Sequence, residues 1–408
     1  MNFPAAHALP GSSSMAAQER PPLVVFAALR WNFDWQRPQQ LLTRLAKHYR
    51  VLYVEAPVTT HQDPYLACTE VAPGVEVLVA HTRSDACGFH PDQFPVMADL
   101  LAAFLRERGI ADPLVWIDTP AALPLLESLR PRGVVYDCHE DGADDAALLQ
   151  RADVVVAAGP SLYQSRRARH ANVHCIASGV DAAHFAPPPA SGKSIEAVSA
   201  RAIHAAIPNP RLGFFGVIDD RIDLELVARV ADLRPDWQIL MAGPLRGVSP
   251  DALPQRGNLT WLGPQTYAIL PHLQAHWDVC VLPLRVDACA RHAAPLEALE
   301  FLAGQKSVVS TPVADVVALH GHIVRLAHDA NAFVQACRAA MCERGPLRRQ
   351  RRIDALIAVH SCGWDRAADR VHRLMVEFAR EATRERAPAS LLAAANQGSR
   401  RSPAPRAA

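Results

Sequence analysis

Residues 211–223 read RLGFFGVIDDRID: an apolar run over 212–215 stops at Gly216, turns through a polar stretch, and leads into a helical pattern near 223–233. A short strand, a glycine turn and an amphipathic helix in that order form the unit of a parallel sheet, because the crossover helix covers a face the strand leaves apolar. The unit repeats in both directions. Downstream, strands are read over 239–242, 259–262, 279–282 and 307–310, with helices near 267–276 and 295–303. Upstream, strands are read over 23–29, 51–54, 75–80, 114–117, 134–136, 154–157 and 173–176, with helices such as 39–48, 91–108 and 160–170. The runs show little polar alternation, so both faces of each sheet are expected to be covered.

The fold class that follows is α/β, with two Rossmann-like doubly wound domains facing a cleft and helices at the C-terminus. The expected organisation is a disordered arm over 1–21, a first domain over 22–186 and a linker over 187–210 rich in Pro, Ser and Ala. A second domain over 211–345, helices over 346–385 and a basic, disordered tail over 386–408 complete it. The apolar spacing of Trp364, Val371, Leu374, Met375 and Phe378 directs the last helices back toward the first domain.

Composition agrees with a packed chain of two to three domains: 408 residues, half of them hydrophobic and 20% charged. With 42 Lys and Arg against 41 Asp and Glu, the net charge of +1 lacks the basic excess that a phosphate backbone rewards, so no nucleic-acid partner is expected. Nine cysteines without a C-x-x-C indicate neither a disulfide framework nor a zinc site. The first residues lack the charged and apolar regions of an export signal, and no run is long enough to span a bilayer, so a cytoplasmic protein is expected.

Neither half carries G-x-G-x-x-G or G-x-x-x-x-G-K-[ST], the loops that bring backbone amides onto phosphates in dehydrogenases and nucleotide hydrolases. Any nucleotide must be held at other strand-to-helix turns, of which 216–223 (GVIDDRID), Gly243-Pro244 and the approach to Pro295 are the candidates. Gly216 and Gly243 are expected to let the backbone come close to it. In the first half, Asp34, Arg37, Asp118, Asp137, His139 and Glu140 follow strands or lie in the loops beside them, where they can face a cleft. Asp34 or His139 could act there as a general base. Ser161 in GPSLY lacks the G-x-S-x-G turn of a hydrolase and is read as a helix cap.

Residues 31–40 (WNFDWQRPQQ), 135–138 (VYDC), 159–163 (GPSLY), 172–185 (NVHCIASGVDAAHF), 211–223 and 277–283 (WDVCVLP) together resemble bacterial GT-B glycosyltransferases, the group that builds cell-surface polysaccharides from activated sugars. The resemblance runs over about 24–364. It implies a nucleotide-sugar donor held mainly by the second domain, and a glycan or lipid-linked acceptor held mainly by the first. It also implies no metal, no cofactor beyond the nucleotide-sugar co-substrate, and contact with the periphery of the inner membrane face. Helix amino termini and basic side chains take the place of a metal at the leaving diphosphate, which suits Arg221 and Arg291. Glu300 falls where the family carries a carboxylate for the ribose hydroxyls, and Val217, Asp219 and Pro244 accompany the two glycines on the donor side.

One segment departs from the resemblance. Residues 287–301 read DACARHAAPLEALEF, with Ala288 where relatives carry a glutamate, Ala294 where a serine caps the helix, and Glu297 where a lysine is usual. A lost cap costs about 1 kcal/mol. A carboxylate about 5 Å from a phosphate repels it by roughly 3 kcal/mol at an effective dielectric of 20. The departure leaves open a changed donor, a non-catalytic GT-B-like binding protein, or a nucleotide-sugar epimerase beside the glycosyltransferase reading. With Pro295 as first helical residue, Glu297 and Glu300 are expected to share one helix face.

Overall fold

The computed structural model describes residues 20–33, 35–139, 145–189, 191–288, 290, 292–293 and 295–386, the last six for their backbone. Residues 1–19 of the expected arm, nearly all of the expected tail, and Asp34, Glu140, Arg291 and Ala294 lie outside the described residues.

The first sheet contains β1 (Pro22–Phe26), β2 (Arg50–Thr59), β3 (Tyr65–Ala72), β4 (Val75–Thr82), β5 (Leu114–Ile117), β6 (Gly133–Cys138), β7 (Val154–Ala157) and β8 (Val173–Cys175). Its order is β3-β4-β2-β1-β5-β6-β7-β8, parallel throughout except for β3, which pairs antiparallel with β4. The second sheet contains β9 (Arg211–Phe215), β10 (Gln238–Ala242), β11 (Leu259–Gly263), β12 (Val279–Leu282), β13 (Val308–Ser310) and β14 (Arg325–Leu326), all parallel, in the order β11-β10-β9-β12-β13-β14. Both sheets therefore reverse direction beside their first strand, and the carboxyl ends at that reversal are where such folds hold ligands.

Alternate residues of the same strand go to different cores. Leu23, Val25, Val51, Tyr53 and Trp116 pack into one cluster, while Val24, Phe26, Leu52, Val54 and Val115 pack into another on the opposite face. This double covering is why the strands read as unbroken apolar runs. Strands β3 and β14 have no such run. The sequence YLACTEVA of β3 lies on the sheet edge with several residues exposed, and β14 has only two residues, so neither shows in hydrophobic patterning.

Two connections cross between the domains side by side, and Val180 donates its N–H to the Cys362 carbonyl at 2.9 Å. Of the C-terminal helices, Gly345–Ser361 stays on the second domain, with Ala355 and Val359 in its core. Helix Trp364–Arg386 returns to the first domain as its amphipathic pattern implied, burying Trp364, Val371 and Met375 there. Within 187–210 a helix, Ile195–His204, is capped by Ser194 and docks on the second domain through Ala200 and His204.

Candidate functional site

The carboxyl edges of the two sheets face each other across a cleft. Its walls carry Trp35, Gln36, Arg37 and His139 from the first domain, and Gly216, Val217, Arg221, Gly243, Pro244, Tyr267, Glu297 and Glu300 from the second.

On the second-domain wall, β9 and β10 end in glycines. Gly216 has φ of 145° and Gly243 of 149°, conformations that a side chain strains. The Gly216 amide donates to the Ala242 carbonyl at 3.0 Å, and the Gly243 amide to Gly263 at 2.9 Å. A Cβ on Gly243 would land on the Gly216 carbonyl, and one on Gly216 would strike the Glu297 carboxylate and the Phe214 ring. The glycines are thus demanded by the approach of two strand ends to each other, before any ligand arrives.

The turn after Gly216 carries a charge cluster. Buried Asp219 accepts from Arg221 Nε at 3.0 Å and Nη2 at 2.7 Å, and from Arg246 Nη2 at 2.9 Å. Burial pushes the Asp219 carboxyl up, but the hydrogen bonds and charges of the two arginines outweigh it and hold the group below its ordinary value. Asp219 is not on the cleft wall. It holds Arg221, which does line the cleft with a side chain about one-third exposed.

Helix Glu297–Ala303 begins two residues later than expected. Pro295 has no N–H and its carbonyl accepts from Ala298, while Leu296 accepts from Leu299, so the entry is a tight turn of i to i+3 bonds. Glu297 then stands at the positive end of the helix, where a carboxylate is favoured. Glu297 and Glu300 share the cleft-facing side, and Leu296 packs against the core of the first domain.

On the first-domain wall, Arg37 opens helix Arg37–Leu45 and is almost fully buried. Its guanidinium forks onto buried Asp137, with Nη2 at 2.9 Å from Oδ1 and Nε at 3.1 Å from both oxygens, and Nη1 donates to the Ile176 carbonyl at 3.0 Å. Asp137 is fully buried behind the wall. His139 Nδ1 lies 3.3 Å from the Asp137 carbonyl. A carbonyl can only accept, so Nδ1 makes this contact as a donor and Nε2 is left for a further partner. Asp118 sits at the switch point between β1 and β5, where Oδ1 accepts from the Ala28 amide at 2.9 Å, and it is not among the cleft-lining residues.

Ser161 is not a cap. The N-cap of helix Pro160–Arg167 is Gly159, and the Ser161 amide itself donates to Asp315 Oδ1 of the second domain at 2.9 Å. The sequence marks Tyr267 only as the start of a helix. It follows β11, stacks on His184 at 4.2 Å, and its hydroxyl accepts from Gln40 Nε2 at 3.1 Å across the domains. Burial, with the charges of Glu300 and Asp181 adding, pushes its phenol above the ordinary range. The signal that would have singled it out is positional: it follows a strand's carboxyl end, as Gly216 and Gly243 do.

No protein-family model matches the chain. A Bacillus subtilis protein carrying the provisional name teichuronic acid biosynthesis glycosyltransferase TuaH is 27% identical over 225 residues, which cover 48% of this chain and 55% of that protein. The match therefore spans about half the length of each. Among solved structures, sucrose-phosphate synthase from Thermosynechococcus elongatus superposes with a TM-score of 0.67 at 17% identity, covering 88% of this chain and 99% of that one. HepE of Anabaena, solved in complex with UDP and glucose, gives 0.64 at 14% identity, covering 88% and 100%. The chain has the GT-B fold.

Proposed function

We propose that this GT-B chain is a glycosyltransferase that moves a sugar from a nucleotide-sugar donor, held mainly by the second domain, to a glycan or lipid-linked acceptor held mainly by the first. The observation that carries the reading is one cleft with two unlike walls: strand-end glycines, Arg221, Glu297 and Glu300 on one side, Arg37 and His139 on the other. Support comes from the provisional name of the Bacillus subtilis relative and from the UDP and glucose bound to HepE.

In this reading the turn at Gly216 and Val217, with Arg221, stabilises the negative charge that grows on the leaving diphosphate, without a resident metal. Asp219 keeps the Arg221 guanidinium in place rather than touching the donor. Glu300 accepts the ribose hydroxyls, while Glu297 sits where its carboxylate disfavours an ordinary diphosphate pose and selects the donor. His139 Nε2 takes the proton of the acceptor hydroxyl, with Arg37 and Asp137 fixing the strand end that carries it. Asp34 and Arg291 retain the roles expected from sequence, as alternative base and as a second phosphate contact. A lipid-linked acceptor would draw the protein to the inner membrane face. Among the described residues no helix is long and apolar enough to cross a membrane.

The direct test is a thermal-shift screen of uridine and guanosine diphosphate sugars, because a ligand at about a hundred times its dissociation constant adds roughly 2.7 kcal/mol. A stabilising donor, followed by transfer that is lost in His139→Ala with binding kept, is the expected result. If neither the wild type nor Glu297→Lys binds any nucleotide sugar by calorimetry, the reading falls.

A further inference from the structure

Helix Gly345–Ser361 leaves an unusual face to solvent. While Ala355 and Val359 pack inward, Leu347 is 73% exposed, Ile353 50%, Leu356 50% and Ile357 61%. The helix also carries Arg348, Arg349, Arg351 and Arg352 against a single carboxylate, Asp354. Among the described residues, Arg351 is tied to Glu343 and the Lys306 carbonyl, whereas Arg348 and Arg349 make no ion pair. Beside the helix, Lys306, Arg344, Arg348, Arg351 and Arg352 outnumber Asp278 and Glu343 along a groove at the amino ends of β12 and β13. The next helix, Trp364–Arg386, is amphipathic too, yet none of the exposed large hydrophobic residues lies on its described side chains.

We infer that this helix is a docking surface for an anionic lipid bilayer, with Leu347, Ile353, Leu356 and Ile357 entering the headgroup boundary and the arginines meeting lipid phosphates. What favours a bilayer is charge complementarity: four arginines within one turn and a half of exposed helix, beside exposed aliphatic side chains, fit a surface of lipid phosphates. The groove lies at the amino ends of the strands, so the cleft at their carboxyl ends stays open when the helix is docked. The inference rests on the glycosyltransferase reading for its setting, and on the helix alone for its geometry.

The test uses the full chain with vesicles of phosphatidylcholine, alone or mixed with phosphatidylglycerol. Wild type is expected to co-sediment with the mixed vesicles and not with the neutral ones, less so as salt is raised. The pair Arg348→Glu with Arg349→Glu should bind at least about tenfold more weakly, since each arginine near an anionic surface is worth about a factor of five. The pair Ile353→Asp with Ile357→Asp should also lose binding, and both pairs should melt like wild type because the replaced side chains are exposed. Wild type that ignores anionic vesicles, or variants that bind as it does, overturns the inference. So does a dimer in ultracentrifugation that Ile353→Asp with Ile357→Asp returns to monomer, which would give the face to a second copy. Calorimetry on the same preparation separates the two readings. Donor binding without vesicle binding removes the surface alone, and vesicle binding without donor binding removes the glycosyltransferase alone.

Discussion

The two sheets share a strand order around a central first strand, yet they finish their carboxyl edges in opposite ways. In the first domain the edge is built from charged side chains that satisfy one another: Arg37 with Asp137, Glu55 with Arg30 and the Trp31 amide, Asp118 with the Ala28 amide. In the second domain the edge is built from backbone, with Gly216, Gly243 and Gly263 at three adjacent strand ends and the nearest charge cluster, Asp219 with Arg221 and Arg246, held one turn farther out. A side-chain rim fails when a partner is removed. A backbone rim fails when a side chain is added. The first domain's edge therefore depends on keeping both partners of each pair, while the second is constrained to keep a close backbone approach.

The largest expected effect breaks the first rim. Asp137→Ala leaves the Arg37 guanidinium buried without its counter-charge and should cost about 3–5 kcal/mol in urea unfolding. A loss below about 1 kcal/mol would mean that the pair is not the element holding that edge.

Acid should next act on the second domain through two buried histidines. His204 accepts from Trp277 Nε1 and its Nδ1 lies 2.6 Å from the Ala200 carbonyl, and burial chiefly brings its pKa down to about 4. His320 is also lowered to about 4, again mainly by burial. Because the unfolded chain takes up these protons near pH 6.5 and the folded chain only near 4, stability is complete above 6.5 and falls as the pH drops through that window. The loss is about 3 kcal/mol per histidine at most. His204→Gln and His320→Gln should each flatten the pH dependence of unfolding; an unchanged slope would remove that histidine from the account.

Adding a methyl group to the backbone rim should cost somewhat less. Gly243→Ala meets the Gly216 carbonyl and an unfavourable φ, and about 2 kcal/mol of stability should be lost without any ligand. Gly216→Ala meets the Glu297 side chain instead, so part of its cost should be recovered when Glu297→Ala is added. A double-mutant cycle showing no coupling would separate the two residues.

Smaller still is the expected gain from Glu297→Lys. Replacing a carboxylate by a cation beside the proposed diphosphate should tighten nucleotide-sugar binding by about 1–2 kcal/mol, because water in an open cleft screens the roughly 3 kcal/mol repulsion of an effective dielectric of 20, and by less at high salt. If calorimetry instead shows donor binding abolished, Glu297 contacts the sugar directly. At the bottom of the series, Gln40→Ala removes the hydrogen bond to Tyr267 that joins the two walls and should cost about 1 kcal/mol. A negligible change would mean that the domains are held by Leu296 and the Ser161–Asp315 contact instead.

Legibility followed the same division. The strands over 114–117, 154–157 and 279–282 were readable to the residue because doubly covered strands advertise themselves as apolar runs. Strand β3 was invisible, since an exposed edge strand needs no such run. The turns at Gly216 and Gly243 were readable as places, but not as a pair in contact. The helix at Glu297 was readable in kind and misplaced at its start, because a proline and an uncapped entry blur the first turn.

What the sequence determined by itself was local and periodic: two parallel sheets, the strand-to-helix turns, and the amphipathic face that brings the last helix home. Only the tertiary structure decided which of the candidate charges are on the cleft wall and which are consumed behind it. Arg37 and Asp137 are 100 residues apart, and nothing in the neighbourhood of either names the other. Ser161 meets Asp315 across 154 residues, and Gln40 meets Tyr267 across 227. Hydrophobic periodicity is written into each segment because burial acts on every residue where it stands. The choice of partner for a charge or a hydroxyl is made only when separate segments are brought within about 3 Å of one another.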